Sequence, residues 1–173
     1  EQGQACPVGE EMEKEMFEFA RVYLPHRGFT HYEISNFARP GHECMHNMHY
    51  WRGSEYLGLG AGAYSYLKGK RSSNSEDVED YINRIFGQGM AQVWDESLEG
   101  DKRARELAVI WLRMREGIEP KLFKERSGFD IRDLLAGDAE RLVRDGWLVW
   151  ENGRLKLAEQ SLVVADAILA DLV

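Results

Sequence analysis

Between residues 10 and 24, Met12, Met16, Ala20 and Leu24 recur every fourth position, with Phe19 and Tyr23 beside them. This period predicts an amphipathic helix, stopped by Pro25 and Gly28. In "THYEISNF" (30–37) the period drops to two. Tyr32 and Ile34 alternate with His31, Glu33 and Ser35, as in a strand with one polar face. "ARPGHE" (38–43) reads as a loop around Pro40-Gly41, and "HNMHYW" (46–51) follows it at the C-terminal end of the strand. "EYLGLGAGAYSYL" (55–67) is apolar, with Gly58, Gly60 and Gly62 on alternate positions. In a strand, that spacing bares one face for the close approach of backbone or ligand. Residues 72–89 predict a second amphipathic helix through Val78, Tyr81, Ile82, Ile85 and Phe86, capped by Ser75.

From about residue 96 the pattern changes. Helical periods cover 101–117, 119–128 and 130–146, the last with a weak point at Gly137. Residues 147–157 form two short runs around Asn152-Gly153, a strong hairpin signal, and 161–173 is again helical. The fold class expected is α/β. Residues 1–95 would be one portion, and 96–173 a mainly helical, winged-helix-like domain.

Composition narrows the function. The formal net charge of −8 opposes broad nucleic-acid binding. In 130–145, where a winged helix would present its recognition element, five acids face three bases, the wrong sign for phosphate. The longest apolar run, around 162–170, is too short to span a bilayer and is interrupted by Asp166. No basic, apolar leader opens the chain, so a cytoplasmic setting is expected, with Cys6 and Cys44 as free thiols. The chain opens without Met and runs almost at once into a helix, so it reads as the C-terminal portion of something larger.

All five histidines fall between positions 26 and 49. His42, Cys44, His46 and His49 have side chains suited to zinc or copper, although no second ligand cluster stands elsewhere in the chain. Equally, one neutral imidazole beside Tyr50 and Trp51 suits heme iron and the face of a macrocycle. Side-chain chemistry alone leaves both readings open. Glu33, on the polar strand face, is a candidate to meet a cation or to sit in a buried ion pair. "GLGAGAYS" lacks the GxGxxG spacing of a dinucleotide loop.

"YEISNFARPGHEC", "HN..YW" and "EYLGLGAGAYSYL", followed by helices, a hairpin and a helix, closely resemble the oxygen-independent coproporphyrinogen III oxidase-like proteins of the radical S-adenosylmethionine family. The likeness spans nearly the whole chain, and HNxxYW resembles the heme chaperone branch. It implies that 1–95 closes an incomplete, partial TIM-like α/β barrel. It implies heme contact at His46, as the iron ligand, with Asn47, Tyr50 and Trp51, and a place for Gly62 and Tyr64 on the cofactor side. Heme or porphyrin and heme-acceptor proteins are the implied partners, and a homodimer is a further possibility. The implied 4Fe-4S cluster and S-adenosylmethionine belong to the full-length parent, because the CxxxCxxC motif and the glycine-rich motif are absent here. A second implied reading is enzymatic: oxidative decarboxylation of coproporphyrinogen III by a 5′-deoxyadenosyl radical. A third, unrelated reading is a winged-helix interaction module.

Overall fold

A turn at Ser35 breaks the alternation that begins at Thr30. In the computed structural model, which describes residues 8–173, β1 (Thr30–Glu33) folds back on β2 (Asn36–Ala38) as an antiparallel hairpin, pairing His31 with Phe37. Cys6 lies outside the described residues. The single strand expected over 30–37 is therefore two. Of its polar face, Glu33 is buried with Tyr32 and Ile34, while His31 is half-buried. The Glu33 carboxylate caps the turn: Oε1 accepts from the Ser35 N–H and from Asn36 Nδ2. Its Oε2 has no partner, and no cation pairs with it, among the described residues.

The helix α1 (Glu10–Tyr23) forms as its period predicts, but Met12, Met16 and Phe19 face outward. The inward side is set by Phe17, which meets the His31 ring edge-on at 6.1 Å, and by Arg21. Arg21 and Arg115 both bond to the Glu159 carboxylate, tying α1 to the C-terminal end of the chain. Burial pushes that carboxyl up, but the two guanidiniums outweigh it and hold Glu159 below its ordinary range. Burial also lowers His31, whose Nε2–H donates to the Ile34 carbonyl at 2.9 Å. A group whose pKa falls on folding stabilises the native state above its unfolded pKa and loses that contribution as pH falls through its folded one. Acidification is thus expected to loosen α1 in two steps, His31 first, below its ordinary 6.5, then Glu159 below the usual carboxylate range. Amide exchange in α1 followed against pH checks this; an opening free energy of the α1 amides that stays constant from neutral pH to about pH 3 would refute it.

Three further strands form one antiparallel sheet: β3 (Tyr64–Leu67), β4 (Lys70–Asn74) and β5 (Gln92–Ser97) in the order β3-β4-β5. The sequence reading misses β4 and β5 because neither carries a clear two-residue apolar period. Residues 57–63 are irregular rather than a strand, with Gly60 and Gly62 at turns. Of the three alternating glycines, one meets backbone: a Cβ on Gly58 would stand 2.0 Å from the Tyr64 carbonyl oxygen. Between β4 and β5 runs α3 (Val78–Gln88). Its cap is Asp77, whose carboxylate accepts from the Asp80 N–H at 2.7 Å, not Ser75.

The C-terminal half carries most of the core. Helices α4 (Gly100–Trp111), α5 (Pro120–Ser127), α6 (Ile131–Leu134) and α7 (Ala136–Arg144) precede the hairpin β6 (Leu148–Glu151) and β7 (Arg154–Leu157), which turns at Asn152-Gly153. The expected 130–146 helix breaks at Leu135, which is fully buried. The expected 161–173 helix is a 3-10 turn (Glu159–Val164) followed by the short α8 (Ala165–Ala170). Ala104, Ala108, Trp111 and Leu112 close over Phe123, Ile131, Leu135, Leu142, Leu155 and Leu172, and the same cluster reaches Tyr32, Ile34 and Met48. The mixed α/β class holds. Among the described residues all the sheets are antiparallel and no barrel closes.

Candidate functional site

"HNMHYW" is helical. α2 (Met45–Trp51) begins at Cys44 and buries Met48. Trp51, three residues on, packs against the same core. That leaves His46 and Tyr50, four residues apart and hence one above the other, on another face. Their rings meet edge-to-face with centroids 4.7 Å apart. The helix stops at Gly53 (φ +60°), where a Cβ would lie 2.4 Å from Leu107 Cδ1, so α2 and α4 close on each other at this residue.

The aromatic contacts continue from there. Tyr50 meets Tyr56 at 4.5 Å, and Tyr56 faces Tyr66 of β3 at 6.3 Å, the backbones at 56 and 66 exchanging both hydrogen bonds. These three tyrosines, with Trp51, Leu107 and Ile110, wall a cavity of about 280 Å³ between α2, β3 and α4. Arg71 and Glu106 stand in its lining. Arg71 is committed to carboxylates, bonding Glu96 at 2.5 Å and Glu106 at 2.6 Å. Burial raises the pKa of Glu106 against the pull of Arg71. Burial also raises Tyr56, with Tyr50 adding to it, so this phenol keeps its proton at neutral pH. The Arg113 guanidinium lies 4.8 Å from the Trp51 ring centroid, and Trp51 Nε1, shielded from water, has no partner among the described residues.

The structure thus brings His46, Tyr50 and Trp51 onto one short helix beside a cavity, with Asn47 half-buried next to them. His46 itself is exposed, an open imidazole at the end of the aromatic row. Gly62 and Tyr64 stand outside the cavity lining: Gly62 donates to the Ser75 carbonyl, and Tyr64 is exposed against Trp94. The metal cluster read from His42, Cys44, His46 and His49 does not assemble. His46 and His49 are carried on helix α2 with Cys44 at its start, and the His49 Nε2–H donates to the Glu55 carbonyl at 2.7 Å. No group of three or more potential ligands forms among the described residues, and Cys44 is a free, exposed thiol. Tyr56, Tyr66, Arg71 and Glu106 escape the sequence reading. The two tyrosines carry the one signal available, aromatic residues ten apart flanking the glycine run.

The fit of a macrocycle can be judged from this geometry. A 280 Å³ cavity lies just below the range of about 300–1,000 Å³ that encloses a drug-sized ligand. It can seat one edge of a porphyrin, leaving a face open to His46, but cannot enclose the ring. An exposed imidazole and a row of aromatic rings are the donor and packing surface such a ligand needs.

The structure of Escherichia coli coproporphyrinogen III oxidase (HemN), described as a radical SAM enzyme, superposes with a TM-score of 0.72 over 96% of this chain and 42% of that one, at 16% identity. Residues 98–164 match the HemN C-terminal domain. The heme chaperone HemW of Bacillus subtilis is 30% identical over 92% of this chain and 42% of its own length. That of Synechocystis is 45% identical over 62% of this chain and 27% of its own. The chain belongs to this radical SAM, coproporphyrinogen III oxidase-like family, and it spans about four-tenths or less of the length of these curated relatives. No helix among the described residues is long and apolar enough to cross a membrane.

Proposed function

We propose that this chain is the heme-handling C-terminal part of a radical SAM-family heme chaperone. It would bind heme against α2, with His46 as the iron ligand and Asn47, Tyr50 and Trp51 as its surround, and pass the heme to acceptor proteins. The observation that carries the reading is the exposed His46 imidazole set edge-to-face against Tyr50, which itself lines the aromatic cavity. An exposed ligand suits a carrier that must release its cargo. In this reading residues 1–95 and 96–173 are the barrel-derived and accessory portions. Gly62 and Tyr64 face the cofactor side of the longer parent, which supplies S-adenosylmethionine and the 4Fe-4S cluster. The setting is the cytoplasm. Self-association of two copies belongs to the same reading and is supported by the exposed apolar residues of α1 and α3.

Titration of ferric heme, followed by its Soret band, tests the site. His46→Ala is expected to weaken binding at least about tenfold, the equivalent of ~1.4 kcal/mol, and to shift the band. His42→Ala, also exposed but outside the aromatic row, is expected to leave both unchanged. An unaltered band and affinity in His46→Ala would remove His46 from the site. The shared fold with coproporphyrinogen III oxidase supports a second reading, porphyrinogen decarboxylation by the longer parent. Appreciable product formation by that parent would reverse the order of the two.

A further inference from the structure

Next to the aromatic cavity lies a second one of about 300 Å³, lined by Glu55, Gly100, Arg126, Ser127 and Phe129. The two share Gly53, Tyr66, Arg103 and Leu107, so they adjoin across these side chains. The first is walled mainly by aromatic and aliphatic groups. In the second, two guanidiniums stand in the lining, and their pairing differs from that of the other cations nearby. Arg71 is taken by Glu96 and Glu106, and Lys70 by Asp95 at 2.8 Å. Arg103 and Arg126 have no carboxylate within ion-pair distance among the described residues. Both are nonetheless placed. The Arg103 guanidinium packs over the turn between β3 and β4, where a Cβ on Gly69 would meet Nη1 at 3.1 Å. Arg126 Nη1 donates to the Arg52 carbonyl at 2.7 Å. The acid in this lining is Glu55, whose Oε1 already accepts from the Lys68 N–H at 2.6 Å.

Two held guanidiniums at the end of an aromatic slot fit a flat aromatic molecule carrying carboxylates on one edge. The planar fork of arginine pairs with a carboxylate through two parallel hydrogen bonds. Resting on the heme reading above, we propose that Arg103 and Arg126 receive the propionate carboxylates of the porphyrin whose ring lies against the tyrosines. α4 and α5 thereby orient the ligand, and the carboxylate grip is separate from the iron contact at His46.

The test compares ferric heme with its dimethyl ester, which keeps ring and iron but has no carboxylates. The chain is expected to bind heme roughly tenfold or more tighter than the ester. Arg103→Gln/Arg126→Gln should bring heme down to the affinity of the ester and leave the ester unmoved. Glu55→Gln, which keeps an acceptor for Lys68, should tighten heme and not the ester. Equal binding of acid and ester by the unaltered chain overturns the inference without needing any variant, and if that binding still depends on His46, the heme reading stands alone. Equal weakening of both ligands in the double variant also overturns it, marking a structural role for the arginines. Binding of neither ligand removes the heme reading and this inference together.

Discussion

Gly117→Ala is expected to lower the unfolding free energy by about 3 kcal/mol, the sum of left-handed strain and overpacking at roughly 1–3 kcal/mol each. Gly117 follows α4 at φ +71° and donates to the Met114 carbonyl. It turns the chain into Ile118, which exchanges both backbone hydrogen bonds with Leu155 of β7 at 2.8 and 3.0 Å. A Cβ at 117 would stand 2.5 Å from the Leu155 carbonyl oxygen and 2.4 Å from Lys156 Cγ. The lysine stem can swing away, but the carbonyl is held in the bridge to Ile118, and Ile118 and Leu155 are both fully buried. Gly128→Ala provides the control. Its φ is +81° and nothing lies within 4 Å of the added methyl, so it isolates the conformational strain, about 1 kcal/mol. Urea unfolding of the two variants gives the crowding by difference. Equal midpoints would show that the hairpin gives way at no cost.

The contrast between these glycines marks where sequence reading stops. The hairpin at Asn152-Gly153 was legible because two adjacent residues at positive φ need that dipeptide locally. The helices α1, α3 and α4 were legible from their periods, since each repeats an apolar face, and α5 from its stop at Gly128. Which face turns inward was not. Met12, Met16 and Phe19 look like a core stripe, but Phe17 and Arg21 face the protein, because Glu159, far along the chain, pairs with Arg21. The turn at Ser35 was hidden for the same reason. "YEISNF" reads as one alternating run, and only the buried Glu33 carboxylate, accepting from Ser35 and Asn36, folds it back. In the candidate site, His46, Tyr50 and Trp51 stand out in the sequence by residue type and by the family resemblance. Their helix was not, since seven residues carry too few turns for a period to register. The wall opposite them comes from Tyr56, Tyr66, Arg71, Arg103 and Glu106, brought together from β3, β4, α4 and the loop after α2 by tertiary packing that no local pattern encodes.

That packing joins the site to the core through α4. Ala108 and Trp111 face the interior, while Arg103, Glu106, Leu107 and Ile110 face the cavities. On the interior side Trp111 lies against Phe123 of α5, ring centroids 6.0 Å apart, and Phe123 is fully buried. Phe123→Ala removes that ring and leaves a void which neighbours fixed by the β6–β7 hairpin and α6 fill only in part, so a loss of about 3–5 kcal/mol is expected. Against a total stability of ~5–15 kcal/mol, the urea midpoint should fall steeply with an unchanged slope. Phe123→Leu, which keeps much of the volume, should recover most of it. Because the cavity wall and the core are opposite sides of one helix, a ligand that binds the folded chain should raise the midpoint of Phe123→Ala as it raises that of the unaltered protein. An unfolding free energy within about 1 kcal/mol of the unaltered protein's would mean that Trp111 and α4 repack without Phe123, and that the cavity wall owes its position to the sheet instead.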